Sequence, residues 1–115
     1  MRMLATLLAL VALGGTAAAA SLTQKQKNAL GHIAQAQAAA DICPKLETND
    51  LVMAVIMQGF GLDFSDATVK SAFLEKYKEQ IAPWKGVNPD AACIAGLLLY
   101  GPNGENVKGL VRLKQ

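Results

Sequence analysis

Cys43 and Cys93 are the only cysteines in a chain that opens with an export leader, and their pairing limits the fold more than any other feature. Arg2 puts a positive charge at the start, and Leu4–Leu13 is a largely apolar run. Gly14-Gly15-Thr16 breaks that run, and Ala17–Ala20 offers the small residues that signal peptidase accepts. Cleavage is expected after Ala20, with Ala18 and Ala19 as neighbouring sites. The expected organisation is a signal peptide over 1–20 and one domain over 21–115. The apolar core of the leader is shorter than the roughly 20 residues a bilayer span needs. No cysteine follows the cleavage zone to take a lipid anchor. The mature chain is therefore expected in the periplasm, where an even pair of thiols reads as a disulfide. In the chain-entropy model, closing a loop of about 50 residues destabilises the unfolded chain by roughly 4 kcal/mol. For a domain whose net stability is about 5–15 kcal/mol, that contribution is large.

The pattern of caps and apolar spacings predicts an all-α domain of four to five helices. Ser21…Gln24 and Thr23…Gln26 both have capping-box spacing. The helix they open is alanine-rich and ends at Cys43-Pro44, because proline disfavours helical backbone in the residue before it. Thr48 or Asn49 caps a second helix whose Leu51–Met57 stretch is apolar on nearly every side, as expected at the centre of a bundle. A buried strand is the alternative there. Ser65 begins an amphipathic third helix, with Asp66 in its first turn, carrying Val69, Ala72, Phe73, Tyr77 and Ile81. Asn88-Pro89 starts a fourth, through Cys93, Leu97 and Tyr100, and Gly101-Pro102-Asn103-Gly104 ends it. The tail Glu105–Gln115 fits either a short helix, which is preferred, or a strand. The bridge would then tie the end of the first helix to the early turns of the fourth.

The chemistry-bearing residues are few. His32 is the single imidazole and lies mid-helix with no motif around it, which reads as a surface or half-buried side chain. No serine has a nucleophile-elbow context. Asp63 and Asp66 flank Phe64, but acids beside a helix N-terminus have an ordinary dipole explanation. With no cofactor motif and no set of metal ligands, no enzymatic activity and no cofactor are expected. Ten Lys and Arg remain against nine Asp and Glu once Arg2 is removed, so nucleic acid is not an expected partner.

Features suited to contact with another protein remain. Asp63, Phe64 and Asp66 form an acid-bearing apolar element, and Trp84 is either a lid over the core or an exposed anchor. Tyr100 and Asn103 stand on a turn expected to protrude. Met53, Met57, Phe60 and Phe64 form an adaptable apolar group that would also suit a small apolar ligand.

Two architectural resemblances accompany these residues. Size, leader and the Cys43…Cys93 separation resemble the HdeA-type periplasmic acid-stress chaperones. The same architecture is similar to the small alphaproteobacterial inhibitors of lysozyme-type peptidoglycan hydrolases. The second resemblance implies a non-enzymatic binder of an envelope hydrolase, and is the leading expectation. The first implies an ATP-independent chaperone, and a carrier of a small apolar ligand is the third reading.

Overall fold

The computed structural model describes residues 22–115, so the signal peptide expected over 1–20 and its cleavage site lie outside the described residues. Four helices carry the architecture: α1 (Gln24–Ile42), α2 (Asp50–Gly59), α3 (Ala67–Ile81) and α4 (Pro89–Tyr100). A 3-10 turn over Ala82–Trp84 and two short strands, β1 (Leu46–Thr48) and β2 (Val111–Leu113), complete the order. Helix starts follow the cap chemistry. Thr23 Oγ1 accepts from the Gln26 N–H while Gln26 Oε1 accepts from the Thr23 N–H, a reciprocal capping box. Asn49, Asp66 and Asn88 cap α2, α3 and α4 through their side-chain oxygens, the last followed by Pro89 at the first helical position.

The centre of the domain is α1, not α2. Ala29, Ala34, Ala36, Ala38 and Ala39 are buried around much of its circumference, with Leu30 and Ile33. Small side chains let neighbours close in on several sides at once. α3 and α4 both pack on α1, and β1 lies across its C-terminal part. Gly96 of α4 shows how near they come: a Cβ there would sit 2.8 Å from Leu46 Cδ1 and 3.1 Å from Ala39 Cβ. α2, expected at the bundle centre, lies at the surface. Its one buried residue is Met57, with Val52, Met53 and Ile56 half-buried, while Leu51 is 76 % and Val55 61 % exposed. A helix apolar on all sides cannot bury every face in a domain this small.

The disulfide joins Cys43, the C-cap of α1, to Cys93 in α4, with Cα atoms 5.1 Å apart. Cys43 is fully buried with Ala36, Leu46, Ala92, Tyr100, Leu110 and Val111. A second cluster gathers Ala29, Leu30, Ile33, Met57, Leu62 and Val69. Met53 and Ile56 of α2 touch both clusters.

The tail is a strand rather than the preferred helix. β2 runs antiparallel to β1 with Leu46 opposite Leu113, Glu47 opposite Arg112 and Thr48 opposite Val111. Gly109 holds a positive φ of 83°, which turns the chain, and Leu110 and Val111 then enter the core. Arg112 Nε meets Glu47 Oε2 at 2.8 Å across the pair, the one ion pair among the described residues. Exposed as it is, it contributes about 0–1 kcal/mol.

Candidate functional site

A cleft of about 520 Å³ opens between α1, α2 and the Val107–Leu110 segment. Its chemistry follows from helical spacing. Lys25, Asn28 and His32 stand along one edge of α1 at i, i+3 and i+7, with Ala29 and Ile33 beside them as the floor. Ile56 of α2 and Phe60, its C-cap, form the opposite wall, and Val107 and Leu110 close one side. The Gln26 side-chain amide donates to the Phe60 carbonyl at 2.9 Å, fixing the end of α2 against the start of α1. The result is an apolar trough with one polar edge and one cation. Its volume falls within the roughly 300–1,000 Å³ of small-molecule sites.

His32 is more than a bystander on this edge. Its Nδ1 lies 2.9 Å from the Tyr100 hydroxyl, and the two rings meet edge-on at 5.8 Å. Tyr100 has no exposed surface, and its hydroxyl donates to Gln35 Oε1 and accepts from the Asn106 side-chain amide at 3.4 Å. With the phenolic proton committed to Gln35, His32 Nδ1 is the donor to that oxygen. Burial pushes the Tyr100 phenol up, partly offset by the Asn106 hydrogen bond. Sequence reasoning missed this constellation because His32 and Tyr100 lie 68 positions apart. The Lys25, Asn28, His32 spacing shows in the sequence only the α1 edge of the cleft.

The residues expected to bind a partner do not form one surface. Asp63, Phe64 and Asp66 cluster in the loop between α2 and α3, all exposed. Their carboxylates have local roles: Asp63 Oδ1 accepts from the Ser65 N–H at 2.9 Å, and Asp66 Oδ1 from the Thr68 N–H at 2.8 Å. The backbone N–H and the hydroxyl of Ser65 hold the Asp63 carboxyl below its ordinary range. Phe64 meets Phe73 edge-on at 5.0 Å, and Phe73 stacks on Tyr77 at 6.1 Å. Trp84 lies beyond the far end of α3, about 22 Å away along a helix of 15 residues. It is half-buried against the Cys43 cluster, as a lid over the core. Asn103 is exposed at the tip of a turn closed by Gly104 N–H to Gly101 O at 2.8 Å. Tyr100 corrects the expectation of a protruding contact. It shares a face of α4 with Ala92 and Gly96, and that face packs inward.

Tyr77 donates to Asp41 Oδ2 at 2.5 Å. Burial, then this hydrogen bond and the Asp41 charge, push its phenol from 10.0 up to about 12. The folded state therefore gains from the protonated phenol fully below the ordinary value, and loses that gain as pH rises toward 12. Ultraviolet titration should show both tyrosines of the native chain ionising later than in the urea-unfolded chain. A native tyrosine titrating at its ordinary value would contradict the Tyr77–Asp41 pairing.

Among the described residues no helix is long and apolar enough to cross a membrane, and no three His, Cys, Asp or Glu side chains gather as a metal site. No family model, no curated protein and no solved structure matches this chain.

Proposed function

We propose that this chain is a non-enzymatic periplasmic protein that acts by binding another protein, with a lysozyme-type peptidoglycan hydrolase as its partner. The observation that carries the reading is α2, whose exposed face presents Leu51 and Val55 to water. Contiguous exposed apolar surface of this kind marks interaction sites in small proteins. Just past α2, the exposed Asp63 and Asp66 flank Phe64, an acid-bearing element that would steer a basic hydrolase toward the apolar face. The leader and the disulfide support an address in the cell envelope.

The test is muramidase activity measured with the oxidised chain from Ser21 onward. Inhibition is expected at micromolar excess, and Leu51→Asp/Val55→Asp should weaken it about tenfold or more. Unchanged hydrolysis at that excess rejects the reading. A second reading, an ATP-independent acid-stress chaperone, is favoured by the further apolar pair Ile94 and Leu98 exposed on α4, 62 % and 60 %. Light scattering of an aggregating client under acid separates the two, since a chaperone suppresses the signal and a dedicated inhibitor does not.

A further inference from the structure

We infer that the cleft between α1, α2 and Val107–Leu110 is a binding site for a single-chain amphiphile with a carboxylate head. This site is independent of the outer face of α2 that the protein-binding reading uses. Leu51 and Val55 point to solvent, whereas Ile56 of the same helix and Phe60 at its C-cap line the cleft.

Three features select the class of ligand. The walls are aliphatic and aromatic side chains, so a hydrocarbon chain gains by leaving water there. Lys25 is the only formal charge lining the cleft, and no carboxylate lies within ion-pair distance of it among the described residues. Residues 1–21 contain no Asp or Glu that could neutralise it. The cation also stands in the first turn of α1, where the helix dipole adds positive potential. Asn28, one turn on, supplies an amide donor at the same edge. An anionic head therefore finds a charge and a donor together, with the apolar trough beside them.

The trough has fixed walls. Gln26 anchors Phe60 from one side, and the Tyr100 hydroxyl holds the His32 ring on the other. Leu110, fully buried, backs the side wall. A cationic amphiphile would meet Lys25 with like charge. A neutral alcohol of the same length would fill the trough without using the cation.

Decanoate below its micellar concentration is the probe, with the oxidised chain from Ser21 onward and amide chemical shifts as the readout. Saturable binding is expected, with the largest shifts at Ala29, His32, Ile33, Ile56 and Val107. Decanol should bind about tenfold more weakly and decyltrimethylammonium more weakly still. Lys25→Glu should cut decanoate affinity about tenfold or more and leave decanol affinity unchanged, which separates the charge from any effect on folding. Ala29→Trp, which fills the floor, should abolish binding of both. Absence of saturable decanoate binding would overturn the inference. So would equal affinity for the cationic amphiphile, or shifts confined to the shallow depression of Phe64, Phe73 and Leu74.

Discussion

Replacing both bridged cysteines, Cys43→Ala with Cys93→Ala, is expected to lower stability by about 4 kcal/mol. The bridge closes a loop of 50 positions, which contains β1, α2, α3 and the first turn of α4. In the unfolded chain that closure removes conformations that the folded chain never uses. The cost of losing it is therefore paid by the native state only in relative terms, and its size follows loop length. A smaller contribution comes from Cys43, which is fully buried against Leu46, Ala92 and Leu110, so its sulfur leaves a void. Since α1 and α4 are the helices joined, the loosened variant should lose the α4 side of the core first. Urea denaturation of the double variant against the oxidised chain measures the difference. A change under about 1 kcal/mol would mean that helix packing alone holds the two ends together.

Tyr100→Phe is expected to cost about 1–3 kcal/mol although it keeps the ring. The hydroxyl is the meeting point of three side chains: it donates to Gln35 and accepts from His32 Nδ1 and the Asn106 amide. Removing it leaves Gln35 Oε1 and two donors without that partner in a part-buried setting, and the penalty of the orphaned groups exceeds the gain from a less polar ring. Tyr100→Ala should cost more, about 3–5 kcal/mol, because the ring fills the space against α1 beside Ala36. The network has a signature that simple packing lacks. His32→Ala should cost less in the Tyr100→Phe background than in the natural chain, since the shared hydrogen bond is already gone. Additive losses would show that the hydroxyl and the imidazole act separately.

Local chemistry was legible in the sequence and spatial arrangement was not. Thr23…Gln26, Asn49 and Asn88-Pro89 encode helix starts through groups a few positions apart, and each start lies where its cap places it, whereas the third helix is capped by Asp66, one position past the expected Ser65. The cysteine pairing followed from there being two thiols and an expected export leader. The position of α2 was misread because hydrophobicity states a preference for burial without naming the element that wins it. In this fold alanine wins: α1 exposes so little bulk that α3, α4 and β1 crowd it from several sides, and α2 is displaced outward. The tail was misread because Val107, Leu110 and Val111 fit a helical spacing, whereas pairing with Leu46–Thr48 depends on a partner more than 60 positions away. The cleft was only half visible. Its α1 edge has a helical period, but the facing Ile56, Phe60, Val107 and Leu110 are assembled by the fold.

The reading as a binding protein rests on an apolar α2 that packs lightly and faces solvent. Native-state hydrogen exchange, resolved by residue on the oxidised chain, tests this most directly. Amides in the middle of α1 and α4 should exchange only through global unfolding, while those of Val55, Ile56 and Gln58 should exchange through a local opening of lower free energy. Protection of α2 equal to that of α1 would place it in the core and contradict the account.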